Sequence, residues 1–153
     1  MSLRLDSSAF RAGEPIPARN SCDDRDLSPP LHWSGAPAGV RSFALICDDP
    51  DAPSGTWVHW VIYDMPPERQ ELAEGVPALA ELPDGARQGI NDFKRTGYGG
   101  PCPPRGKPHR YSFRLYALDT KLGLAVRARK QDLEAAMRGH ALAEAELVGT
   151  FRR

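Results

Sequence analysis

Two aspartates, two histidines and a tyrosine stand at spacings suited to holding a small anion. Asp49 and Asp51 fall in Asp48-Asp49-Pro50-Asp51-Ala52-Pro53, and His59 follows in Trp57-Val58-His59-Trp60. His109 and Tyr111 end a Gly/Pro-rich run that starts at Gly99. A carboxylate that accepts a hydrogen bond from one imidazole nitrogen fixes the tautomer and raises the basicity, so the other nitrogen, or an imidazolium, faces the ligand. Together with the Tyr111 hydroxyl and the backbone amides of Gly99-Gly100, the two imidazoles could give several donors to one phosphate or carboxylate group. Such a nest needs no net positive charge.

Each element also has a plainer reading. Asp-Pro-Asp alone is usually a capped turn, His59 between Trp57 and Trp60 could be a satisfied core histidine, and His109 and Tyr111 could be ordinary strand residues. The Pro-rich loop could be a rigid turn or a polyproline ligand. The same Asp/His set also fits a hydrolase, with or without zinc or manganese. No Gly-x-Ser-x-Gly elbow or His-Glu-x-x-His helix accompanies it, and Cys102, near His109, is the best candidate nucleophile. The favoured expectation is therefore a binding protein with no catalytic residue, metal or cofactor, and the alternative is a hydrolase or metal-assisted enzyme using the same cluster.

These residues need strands to hold them. The chain has 14 glycines and 15 prolines, clustered between short apolar runs as in an all-β sandwich or barrel with long loops. Arg41–Asp48 and Trp57–Met65 read as neighbouring strands, the first interior to a sheet because its centre is continuously apolar. Strict alternation in the second would put Trp57, His59 and Val61 on one face and Val58, Trp60 and Ile62 on the other. Tyr111–Leu118 sets Tyr111, Phe113, Leu115 and Ala117 opposite Ser112, Arg114 and Tyr116, and Ala143–Phe151 repeats the scheme. Gln131–Arg138 has helical spacing at Leu133, Ala136 and Met137, with Asp132 to cap it and Gly139 to end it. The expected fold is mainly β, one domain over residues 1–153, with one or two short helices.

Bulk properties narrow the functions. Lys plus Arg and Asp plus Glu are 20 each, so no long-range field draws nucleic acid or an anionic membrane. The longest wholly apolar run, Phe43–Cys47, is far short of a membrane span, and the first ten residues lack a secretory pattern. A cytoplasmic location is expected. Cys22, Cys47 and Cys102 are odd in number and irregularly spaced, which reads as three reduced thiols.

Asp49-Pro50-Asp51-Ala52-Pro53 with His59-Trp60 resembles one signature of the phosphatidylethanolamine-binding protein family, and Gly100-Pro101, Pro103-Pro104, Gly106 and His109-Arg110-Tyr111 resemble a second. Ser28–Trp33 and Gly139–Ala143 resemble its compact prokaryotic, Raf-kinase-inhibitor-like branch. The resemblance spans nearly the whole chain and implies two packed antiparallel sheets with an anion pocket at one end. Asp49, Asp51, His59, His109 and Tyr111 would line that pocket, with Pro53, Gly100 and Pro101 shaping its rim. The implied partners are a small molecule bearing phosphate or carboxylate, a phospholipid head group, or a kinase or other regulated protein. Longer members shield the pocket with a C-terminal helix, whereas this chain ends after its last expected strand, so the pocket is expected to be open or covered by a second subunit. Apolar rim residues such as Trp57 and Tyr98 would favour a homodimer. The acidic, Ala/Pro-rich stretch 66–89 carries no ligand preference over from eukaryotic members. Asn91, Asp92 and Tyr98 could border the pocket.

Overall fold

The computed structural model describes residues 2–153. Strands β1 (Arg4–Asp6), β2 (Leu31–Ser34), β3 (Ser42–Asp49), β4 (Trp57–Met65), β5 (Glu71–Leu72), β6 (Arg87–Gln88), β7 (His109–Leu118) and β8 (Ala141–Phe151) form two sheets, with helix α1 (Lys130–Met137) between β7 and β8. A 3-10 turn covers Ala18–Asn20. The larger sheet has the order β6-β4-β3-β7-β8 and the smaller β1-β2-β5, all antiparallel. The mainly β, two-sheet expectation holds.

β3 is central and buried along its whole length, as its unbroken apolar run required. One core lies between the sheets, where Phe43, Leu45, Cys47, Phe113, Leu115 and Leu147 meet Leu5, Leu31, Trp33 and Leu72. A smaller core on the opposite face of the large sheet packs Ala44, Ile46, Val61 and Tyr63 beneath Leu133 and Met137 of α1. β7 puts Tyr111, Phe113, Leu115 and Ala117 on the inter-sheet face, as its alternation indicates. Helix α1 stops at Gly139, whose φ of +78° lies in the left-handed region that favours glycine. Asp132 caps from the third helical position, not from the cap itself: its carboxylate accepts from the Arg129 amide at 3.0 Å.

Strict alternation fails in β4, for a local reason. Cys47 pairs with Trp60 but Asp48 with Val58, so His59 is an extra residue bulging from the ladder. The bulge brings Trp60 and Ile62 round to the inter-sheet core and sends Val61 to the helix side with Val58. His59 and Trp60 therefore lie on the same side of the sheet, not on opposite ones.

The cysteines also differ from expectation. Cys22 and Cys102 form a disulfide across a sequence separation of 80 residues, and only Cys47, which is buried, is free. Spacing could not show this pairing, because the two cysteines are brought together by the return of the loop after β6 to the turn after Asn20. Such bonds persist chiefly in oxidising compartments. Among the described residues, no helix is long and apolar enough to cross a membrane.

Candidate functional site

The antiparallel order places the end of β3 and the starts of β4 and β7 at one end of the large sheet. Asp49, Trp57 and His59, and His109 and Tyr111, consequently converge on a cavity of about 230 Å³. Ala52, Pro53 and Ser54 from the β3–β4 loop, Phe93, and Cys102, Pro103 and Pro104 complete its lining. The volume lies below the range of about 300–1,000 Å³ typical of sites for drug-sized ligands.

Asp49 is 3% exposed and both its carboxylate oxygens are engaged. Oδ1 accepts the Asp51 amide at 2.7 Å, and Oδ2 accepts from His109 Nδ1 at 2.7 Å. This is the carboxylate-oriented imidazole that the residue types suggested, and it turns His109 Nε2 away from Asp49.

His59 is oriented by backbone instead. Its Nδ1 lies 2.6 Å from the Gly99 carbonyl, which can only accept, so Nδ1 carries the proton. The Gly99 amide in turn donates to the His59 carbonyl at 2.9 Å, locking the bulge to the loop. Burial holds the imidazole below its ordinary value of 6.5, a shift that the Gly99 carbonyl and the Asp49 charge partly oppose. Neutral His59 thus has its lone pair on Nε2.

The Tyr111 ring meets His59 edge-on at 5.1 Å. Its hydroxyl is buried beside the Asp49 carboxylate without a partner in good hydrogen-bonding geometry, and burial, reinforced by the Asp49 charge, pushes the phenol well above its usual range. Trp57 likewise buries its indole N–H unpartnered. Phe93 stands edge-on to both Trp57, at 5.5 Å, and His59, at 5.3 Å. The cavity therefore has aromatic and proline walls with a few uncommitted polar atoms, a usual composition for a small-molecule site.

Not every expected residue faces it. Asp51 lies outside the lining and does not orient an imidazole. Instead, it accepts from the Arg110 amide at 2.9 Å and from its guanidinium at 2.8 and 3.0 Å. These bonds lower its pKa to about 2. Gly100 and Pro101 are also outside the lining. The Gly100 amide is spent on the Asp26 carboxylate at 2.8 Å and the Pro101 carbonyl on the Cys22 amide at 3.1 Å, so the Gly99-Gly100 amides are not free donors.

Asn91 braces its own loop, donating to the Gly97 carbonyl at 2.9 Å, and Asp92 accepts the Val58 amide at 2.7 Å. Tyr98 packs edge-on against Trp60 and donates to the Asn20 carbonyl at 2.6 Å. Neither Trp57 nor Tyr98 is an exposed rim aromatic, which removes the premise for a dimer through them. Cys102 is disulfide-bonded, so it is no thiolate nucleophile. Among the described residues, no three His, Cys, Asp or Glu side chains gather closely enough to hold a metal ion. Phe93 went unrecognised in the sequence, and no local pattern marks it: only the return of its loop against the start of β4 brings it to the cavity.

An antiparallel sandwich with a small, preformed pocket at one sheet end defines a ligand-binding β-sandwich protein. The chain belongs to the phosphatidylethanolamine-binding protein family, in its prokaryotic branch: the family profile described as "Phosphatidylethanolamine-binding protein" matches residues 6–152. A UPF0098 protein of Methanothermobacter thermautotrophicus is 54% identical over 151 residues, covering 99% of each chain. The crystal structure of a phosphatidylethanolamine-binding protein homolog from Chlamydia trachomatis superposes with a TM-score of 0.91 at 41% identity, covering 99% of this chain and 98% of the other. That of E. coli YbcL gives 0.92 at 32% identity, covering 100% and 99%.

Proposed function

We propose that the pocket binds a small anion: inorganic phosphate, a phosphomonoester or a phospholipid head group. The observation that carries this reading is the Tyr111 hydroxyl, buried without a partner on the cavity that also takes His109, whose imidazole Asp49 orients. A buried donor without a partner costs about 1–3 kcal/mol, and an anionic oxygen in the cavity would recover that cost. With its Nδ1 held by Asp49, His109 has Nε2 left to meet the ligand. The names of the Chlamydia and E. coli relatives support a phospholipid head group as one carrier of the phosphate. A regulatory role would follow where the phosphate belongs to a partner protein, and the fold by itself names no such partner.

Titration with inorganic phosphate, following the His59 and His109 ring resonances, tests the reading. Both rings are expected to shift and saturate, and Tyr111→Phe to weaken binding about tenfold, the loss of one hydrogen bond to a charged group. Rings unmoved at millimolar phosphate would end it.

A further inference from the structure

The Cys22–Cys102 disulfide lies at the surface, with both residues exposed to solvent, whereas the third cysteine, Cys47, is 1% exposed within the inter-sheet core. Exposed disulfides are the labile ones. An ion pair lies along this bond. Arg153 Nε is 3.0 Å from Asp23 Oδ1, Arg153 Nη1 is 3.8 Å from Cys102 Sγ, and the same Asp23 oxygen is 4.0 Å from Cys22 Sγ. The two sulfurs therefore sit in unlike fields: the guanidinium stabilises negative charge on Cys102, and the carboxylate opposes it on Cys22. In exchange with a thiol, the sulfur that leaves more readily is the one better able to hold a negative charge. Cys102 is thus the leaving group and Cys22 the sulfur attacked.

The two segments do not need the bond to stay together. The Cys22 amide donates to the Pro101 carbonyl at 3.1 Å, the Gly100 amide to Asp26 at 2.8 Å, and the Tyr98 hydroxyl to the Asn20 carbonyl at 2.6 Å. Opening the disulfide leaves Cys102 beside Cys22, able to close it again. Cys102 also lines the cavity, with Pro103 and Pro104.

We propose that the Cys22–Cys102 bond is a thiol-exchange site: a low-molecular-weight thiol joins Cys22 as a mixed disulfide, Cys102 leaves as a thiolate on the pocket wall, and the surrounding thiol pool thereby acts on the pocket. In the first step the incoming thiolate bonds to Cys22 Sγ, the Cys22–Cys102 bond breaks, and its electron pair stays on Cys102 beside Arg153. A second thiol then attacks the mixed disulfide and removes the first. Two thiols are oxidised to one disulfide, and the two cysteines take up the electrons and, through solvent, the protons that those thiols give up.

The test is incubation of the oxidised full chain with millimolar reduced glutathione under native conditions, quenched at intervals with iodoacetamide and read by peptide mass mapping. Early samples should carry glutathione on Cys22 and the alkyl label on Cys102, with Cys47 unlabelled because it is buried. Cys47 thus separates local opening from unfolding. Arg153→Gln should slow the exchange about threefold, the effect of losing one partly exposed charge, and Arg153→Lys should restore it. A purely structural bond would respond to neither change. Exchange should also move the His109 ring resonance, since Cys102 and His109 line one cavity; no anion is added, so the outcome is independent of the anion-binding reading. Glutathione on Cys102 instead of Cys22, Cys47 labelled as fast as Cys102, no exchange at all, or an unchanged rate in Arg153→Gln would overturn the proposal. An unmoved His109 ring would overturn its link to the pocket.

Discussion

His59 couples the pocket to the stability of the whole chain. Its folded pKa lies below the ordinary 6.5 because the ring is buried, so at mildly acidic pH the unfolded chain takes up a proton that the folded one refuses. The unfolded state then binds more protons, and stability rises with pH. The contribution of His59 is complete above about pH 6.5 and is lost on acidification through and below that value. Urea denaturation should show a lower midpoint at pH 5 than at pH 7.5, and His59→Gln should flatten the difference; an unchanged slope in the variant would place the dependence elsewhere. Asp51 acts in the same direction, in a more acidic window and from outside the cavity. Arg110 lowers its pKa to about 2, so its stabilisation is present above the unfolded value of about 4 and fades as pH falls toward 2. The pair is largely solvent-exposed, so Asp51→Asn should cost less than about 1 kcal/mol at pH 7 and leave phosphate affinity within about twofold of wild type.

At the scale of elements, the site depends on one bulge and one loop. The extra residue at His59 turns two neighbouring aromatics to the same side of β4, and the loop from Gly99 to Pro104 closes over them. That loop is held at Gly100, where an added Cβ would lie 2.3 Å from the Asn20 carbonyl oxygen and 2.4 Å from Asp26 Oδ1. Gly100→Ala should therefore push the loop off the Asn20 turn and weaken phosphate binding although Gly100 does not touch the cavity, a change visible in the same ring-resonance titration. The Cys22–Cys102 bond fastens the loop a second time. Replacing both cysteines by serine should lower the unfolding free energy by about 2–4 kcal/mol, the usual effect of a disulfide that closes a long stretch of chain, as measured by denaturation without reductant. Because Cys102 also lines the cavity, the double variant should bind phosphate more weakly as well.

At the scale of the molecule, the sheet separates two jobs. The pocket opens at one end on the inter-sheet side, while α1 covers the opposite face through Leu133 and Met137. Leu133 is fully buried, so Leu133→Ala should destabilise the fold by about 2–5 kcal/mol; under native conditions phosphate affinity should stay within about twofold, and a larger loss would show that the helix face and the pocket are coupled. The sequence by itself determined the four long strands and the helix, because burial on one or both faces writes a period into the residue types, and β3, β7 and α1 were legible for that reason; the short strands β1, β2, β5 and β6 carry too few residues to show a period. It also determined which groups could meet an anion, since Asp49, His59, His109 and Tyr111 sit at strand ends where no plainer reading accounts for all four together. Only the tertiary structure decided that Asp51 turns outward to Arg110, that Phe93 and the Cys102–Pro104 wall enclose the cavity, that the Gly99-Gly100 amides are already engaged, and that Cys22 reaches Cys102. Each of these follows from which distant segments meet at one end of the sheet. A single inserted residue in β4 shifts such a meeting, and the local alternation of apolar and polar side chains does not record it.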